Sequence, residues 1–358
     1  MENVVFVVIH LGIIIINSLM KNLLYICLLA LLFVSCMKTI EYDAPIFTEQ
    51  CPETINVLND EYMFLYGNNP MLVDSLLIVS TFDDAHHLAI FNRFSGSLLK
   101  EFAKKGQGPS ELLIPIAFSV DKTNKMLYIG DAGKKTLLRY NLCKLFEAGE
   151  PEYESLKMSS EFEKSSMLRF LVDSLFFAPA NKECRILVGV PSEIRWTIDS
   201  ETPDINKFPT QEDWYNYMNI QSVTAIRPDG RLLAAGSALG GILEVFDLDS
   251  RKRVVLKHFY EPIFKQKGHV FRPTPETIGG FAYLAATDKY LYATLHGKVN
   301  PTSMPSAICQ FDWNGNPIAR YDCGKYAINS FTVTDDDEII YAVATGEEGE
   351  QILLEIKL

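Results

Sequence analysis

A short phrase that returns six times constrains this chain more than any other feature of its sequence. An apolar strand runs into a tight turn carrying an aspartate, and a second strand rich in Leu, Ile and Tyr follows. The clearest copies are Leu72-Val73-Asp74-Ser75-Leu76-Leu77-Ile78-Val79 and Leu171-Val172-Asp173-Ser174-Leu175-Phe176-Phe177-Ala178. Looser copies occupy residues 120–129, 227–234, 287–293 and 334–342. The marker residues Asp74, Asp121, Asp173, Asp229, Asp288 and Asp336 are separated by 47, 52, 56, 59 and 48 positions. Each interval is long enough for a four-stranded sheet with its loops, and self-similarity at that period is the mark of a radial β repeat.

Beyond Cys36 long helical periodicity is scarce, and the apolar positions come in short runs and alternations bounded by Asp, Asn, Gly and Ser. That is the pattern of β-strands, so the expected class is all-β and the expected architecture a six-bladed β-propeller. The last copy stops one strand short, with strands only at 331–334, 338–344 and 351–358, whereas residues 54–58 precede the first copy without a partner. Pairing these ends would close the ring and remove exposed sheet edges. The N-terminal strand is therefore expected to complete the sixth blade.

One loop carries a resemblance. The run Lys105-Gly106-Gln107-Gly108-Pro109-Ser110-Glu111-Leu112, followed by the strand phrase at 127–131, resembles the TolB-like six-bladed propeller lipoproteins. Ser110 stands where a second glycine is common after the proline. The resemblance implies a propeller fold and an envelope location, and it implies no defined activity. In physical terms the glycines permit positive φ, Pro109 fixes a bend, and Glu111 is placed to accept backbone N–H bonds.

The N-terminus suits that location. Two apolar runs, at 4–16 and 23–34, are broken by Asn17, Lys21 and Asn22, which would be costly near a bilayer centre. Starting from Met20, a basic residue, an apolar core and Phe33-Val34-Ser35-Cys36 look like a bacterial lipoprotein signal. The resemblance implies cleavage before Cys36 and acylation of that cysteine, which anchors the chain by lipid. The competing readings are a plain secretory signal and an uncleaved anchor. The expected organisation is a leader at 1–35 (upstream mis-start 1–19, signal 20–35), a lipidated Cys36 with a tether to residue 53, and one propeller domain at 54–358. The expected place is the cell envelope, at the outer membrane facing the periplasm or at the surface.

The charge balance narrows the partners. Forty-five acidic against 33 basic residues give a net charge of -12, which disfavours a grip on phosphate backbones, so a nucleic-acid partner is not expected. The cysteines after Cys36 lack CxxC spacing, and no zinc site is indicated. Cys309 and Cys323 flank a hairpin turn at 313–316, but a turn centred on Asn314-Gly315 sets Cys309 opposite Arg320. A disulfide there needs a shifted register, and free buried thiols are the favoured alternative.

Candidate binding residues come from the long interblade connections at 202–219 and 261–280, because long loops at one end of a scaffold are where recognition resides. They carry Trp214, Tyr215, Tyr217, Phe264, His269, Phe271 and Arg272, joined by Lys325 and Tyr326 at a later crossing and by Lys105 of the glycine loop. Flat rings with polar edges suit sugars and peptide side chains, whereas the structural alternative is that they pin the loops to the propeller. Asp84 and His86, beside Asp83 and His87, form the one candidate cation site, for Ca²⁺ or Zn²⁺, against the alternative of solvated loop residues. The glycine loop lacks the Gly-Lys-Ser/Thr ending of a phosphate loop, and the glycines around Ser237 lack Gly-x-Ser-x-Gly spacing. With no complete catalytic set, the leading expectation is a non-enzymatic, lipid-anchored module for a protein, peptide or glycan. The alternative is a metal-dependent propeller hydrolase or lactonase.

Overall fold

A strand with apolar side chains on both faces can only be buried between two neighbours, and this chain answers that demand by ringing its sheets so that each covers the next. The computed structural model describes residues 41–81, 85–165, 168–180, 184–201, 208, 210–268 and 270–358. All strands lie in one compact unit, Tyr42–Leu358.

Two short strands come first, β1 (Thr48–Gln50) and β2 (Thr54–Asn59). Blade one is β3 (Asn68–Val73), β4 (Leu76–Ser80), β5 (His86–Asn92) and β6 (Leu98–Lys104). Blade two is β7 (Pro115–Asp121), β8 (Met126–Asp131), β9 (Thr136–Asn141) and β10 (Tyr153–Lys157). Blade three is β11 (Arg169–Phe170), β12 (Phe176–Pro179), β13 (Ile186–Val190) and β14 (Glu193–Ile198). A helix, Gln211–Gln221, leads into blade four, which is β15 (Ser222–Ile226), β16 (Leu232–Ser237), β17 (Ile242–Asp247) and β18 (Lys252–His258). A hairpin of β19 (Phe264–Lys267) and β20 (Val270–Pro273) precedes blade five, which is β21 (Phe281–Ala286), β22 (Tyr290–Leu295), β23 (Ala307–Asp312) and β24 (Pro317–Asp322). Blade six contributes β25 (Ala327–Val333), β26 (Ile339–Thr345) and β27 (Gln351–Lys357).

The ring closes as the sequence suggests. β2 pairs antiparallel with β27, Thr54 opposite Lys357 and Val57 opposite Leu354, so the N-terminal strand is the outer strand of blade six. β1 is an addition to the expected pattern. It lies parallel to β24, Thr48 opposite Ala319 and Gln50 opposite Tyr321, and makes blade five five-stranded.

Six apolar clusters fill the six gaps between adjacent blades. Strand β26 shows why both faces are needed. Ile340 and Ala342 pack toward Tyr292 and Ile308 of blade five, while Tyr341 and Val343 pack toward Leu77 and Phe91 of blade one. Each large side chain so buried is worth roughly 1.5–3 kcal/mol. Blades three and four share a charged tie as well, since Arg185 Nε donates to Glu244 Oε2 at 2.8 Å and Arg253 Nη1 to Glu244 Oε1 at 2.9 Å.

All six marker aspartates fall at the turn between the first and second strands of a blade. The hairpin at 313–316 has Gly315 at φ +72°, a conformation that suits glycine. That turn sets Cys309 opposite Arg320, as the sequence predicts. Cys309 and Cys323 are both buried and free.

Candidate functional site: the central channel

The first strand of every blade faces the axis of the ring, and together the six enclose a cavity of about 600 Å³. Its lining reaches down to the aspartate turns, with Lys122, Asp173, Arg227 and Asp335 at that mouth. The volume is in the range of small-molecule pockets. The wall is polar and apolar in equal measure, its apolar part supplied by residues such as Val120, Val223, Ala285, Phe331 and Val333.

A polar belt crosses this wall above the mouth. Arg169 Nη1 donates to the Phe118 carbonyl at 2.8 Å, and Asn69 Nδ2 donates to the same oxygen at 3.3 Å. The Tyr283 hydroxyl then donates to Asn69 Oδ1 at 3.3 Å. Blades three, two, one and five are thereby linked through one chain of bonds. Arg169 is aimed by its strand, which is only two residues long and is tied sideways to blade two by Phe170 N–H donating to Ser119 Oγ at 3.0 Å. The Phe170 ring stacks on Tyr128, with centroids 5.1 Å apart.

The mouth and the belt differ in how their charges are satisfied. Lys122 pairs with Asp335 at 2.7 Å, bridging blades two and six, and Arg227 Nε donates to Asp229 at 2.8 Å. The hydrogen bond to Arg227 holds the Asp229 carboxyl below its ordinary range. Asp121 is consumed by its own turn, accepting from the Asn124 amide at 3.0 Å and its side chain at 2.8 Å. Burial pushes the Arg169 guanidinium down from its ordinary value, opposed only by Tyr283, and burial pushes the Tyr283 phenol up to about 12.

The family model for TolB-like 6-blade propellers matches residues 46–336. The chain belongs to the TolB-like six-bladed propeller family. Among solved structures, this TolB-like propeller is similar to a putative exported protein from Bacteroides fragilis at 13% identity and TM-score 0.53, covering 88% of this chain and 99% of that one. It is also similar to the structure of U3-55K at 13% identity and TM-score 0.52, covering 86% of this chain and 100% of that one. At such identities the likeness is one of fold. No curated protein matches the sequence.

The loop aromatics of this TolB-like propeller lie away from the channel, at the interblade end of blade four. Trp214, Tyr215, Tyr217 and Phe271 are buried and share one apolar cluster with Phe208 and Leu239, while Phe264 is half-buried against it. Part of the expected loop at 202–219 is the helix Gln211–Gln221, whose Thr210 cap accepts from the Asp213 amide. Trp214 Nε1 donates to Ser200 Oγ at 3.0 Å, and the Tyr217 hydroxyl donates to the Leu239 carbonyl. Tyr217 stacks on Phe264 at 5.1 Å and meets Phe271 edge-on at 5.5 Å. What these rings hold is one another. Arg272 is exposed opposite Lys265 on the hairpin's outer side. Tyr326 packs with blades five and six, and Lys105 lies in the connection between blades one and two. The structure therefore brings together the five aromatic candidates but neither Tyr326 nor Lys105.

His269, Asp84 and Cys36 lie outside the described residues. His86 opens β5, with Nδ1 3.7 Å from Glu101 of β6, and its neighbour His87 is buried, as alternation along a strand requires. Among the described residues no three His, Cys, Asp or Glu gather as a metal would need. The glycine loop is self-contained, with Glu111 Oε2 accepting from the Gly108 amide at 2.9 Å and the Lys134 ammonium donating to the Gly108 and Glu111 carbonyls.

Arg169 escaped notice in the sequence, although a signal exists. Four residues before the marker aspartates stand Pro70, Ala117, Arg169, Ala225, Leu284 and Thr332, and one of these is charged. Once the repeat is aligned, that exception points to the channel.

Proposed function

We propose that this TolB-like propeller is a non-enzymatic binding module of the cell envelope, held by a lipid on Cys36, and that its ligand seats in the central channel from the aspartate-turn side. The observation that carries the reading is the cavity itself. It is lined by all six blades, with apolar surface for a ligand's body and one polar belt across it, which is how small-ligand sites combine affinity with orientation. A peptide end or a sugar unit matches that volume. The leader at 20–35 and the fold shared with an exported protein support the envelope location.

A thermal-shift series on the full chain in detergent tests the binding claim, using short peptides, envelope oligosaccharides and divalent cations with a chelator control. A ligand should raise the melting temperature of the wild type and not that of Ala285→Trp, which fills the channel. A shift retained by that variant would place binding elsewhere, and a cation shift reversed by chelator would favour the hydrolase alternative. The anchor is tested by labelling cells with an alkyne-bearing fatty acid. Label should enter the wild type and be absent from Cys36→Ser, and label in both would refute acylation at that residue.

A further inference from the structure

We propose that the channel takes a small ligand bearing an oxyanion, a carboxylate or a phosphate, with the guanidinium of Arg169 as its counter-charge. This rests on the channel being the binding site and names the chemistry that the site selects.

The argument begins with an imbalance. An arginine stays protonated in proteins and carries five N–H donors in a rigid fork. Arg169 spends one nitrogen on a neutral acceptor, the Phe118 carbonyl, and among the described residues it has no carboxylate partner. Every other guanidinium or ammonium in the channel lining is matched, Lys122 by Asp335 and Arg227 by Asp229. The acids of the lining, Asp121, Asp173 and Asp335, stand at the turns, whereas Arg169 sits deeper, level with Asn69 and Tyr283.

Arg169 is half-buried, and a charge partly drawn from water without a counter-ion is unfavourable, a cost that an anion entering the same cavity relieves. Burial is the leading influence on this guanidinium, and no acid is among those that offset it. Because Nη1 alone is engaged, Nε and Nη2 remain for an incoming oxyanion, the paired geometry that gives arginine its strong contacts with carboxylates and phosphates. The apolar wall around the belt would receive the ligand's body, with the Phe331 ring 5.4 Å from Tyr283. Nothing covalent is involved. Across the six first strands, Asn68–Val73, Pro115–Asp121, Arg169–Phe170, Ser222–Ile226, Phe281–Ala286 and Ala327–Val333, Arg169 is the one cationic residue.

The test uses three probes with one aromatic body: benzoate, phenyl phosphate and the neutral benzamide. Each is titrated calorimetrically into the full chain in detergent. At least one anion should bind saturably, tenfold or more tighter than benzamide, and the stronger of the two identifies the source as carboxylate or phosphate. Arg169→Gln should lose that affinity at least tenfold and bind anion and amide alike, while keeping the wild-type unfolding midpoint within a few degrees. Arg169→Lys keeps the charge without the fork and should fall between the two, which preserves the test if the glutamine variant fails to fold. Equal binding of benzamide, a glutamine variant within twofold of wild type, or no binding of either anion would overturn the inference. Ala285→Trp separates the two failures. Anion binding that survives Arg169→Gln but not Ala285→Trp leaves the channel standing without its anion, and binding that survives both removes the channel reading too.

Discussion

Two arginines of blade three, sixteen positions apart, meet opposite surroundings. Arg185 lies in the wall between blades three and four, 1% exposed, with Nε on Glu244, Nη1 on Asn219 and Nη2 3.3 Å from Ser222 Oγ. Its acid is shared with Arg253, and the Phe246 ring lies 5.9 Å from its guanidinium carbon. Arg169 lies on the channel with one bond to a backbone oxygen. A buried charge whose donors are met inside the protein is part of the framework. A charge left with free donors beside a cavity is a demand made on something from outside.

That contrast can be broken at several points, the largest effect first. Glu244→Ala leaves Arg185 buried without its acid and should cost roughly 3–5 kcal/mol in urea unfolding, and a loss under about 1 kcal/mol would show that Arg185 is not sealed from water. Trp214→Ala should cost about 3 kcal/mol by emptying the aromatic cluster, with ligand affinity unchanged. If that variant, or the exposed Arg272→Ala, weakens ligand binding, recognition belongs at the interblade end after all.

Groups buried neutral offer a third probe. Burial pushes the Cys309 and Cys323 thiols up to about 12, whereas an unfolded thiol titrates near 8.5. The unfolded chain gives up these protons first, so their stabilisation is whole below about pH 8.5 and declines as the pH rises toward 12. The slope is about 1.4 kcal/mol per pH unit for each thiol. Urea unfolding between pH 8 and 11 should show it, and Cys309→Ala should remove one thiol's share; an unchanged slope would mean that water reaches the thiol. The smallest effect belongs to Arg169→Gln, which should change stability by less than about 1 kcal/mol because it breaks no ion pair. A loss comparable to that of Glu244→Ala would make Arg169 a framework residue and erase the contrast.

The repeat was legible because it is local. Leu-Val-Asp-Ser at 72–75 and 171–174 marks the same turn in blades one and three, and the unpaired strand at 54–58 announces the closure. The Asn314-Gly315 turn fixed the pairing of Cys309 with Arg320 for the same reason. The aromatic cluster was half legible. Residue type marked Phe264 and Phe271, but which way they face depends on hairpin register, which puts both on the inner side and Lys265 and Arg272 on the outer. The Arg185–Glu244 tie joins residues 59 positions apart and exists only once two blades dock, so no local pattern announces it. β1 is three residues long and exposed, too brief for periodicity to register.

The pairing of Thr54 with Lys357 also sets a timetable for biosynthesis. The strand that completes blade six is made about 300 residues before its partner, so an emerging chain holds an unmatched β edge until β27 is made. Contacts so distant along the chain form slowly, and an edge kept waiting is open to mispairing.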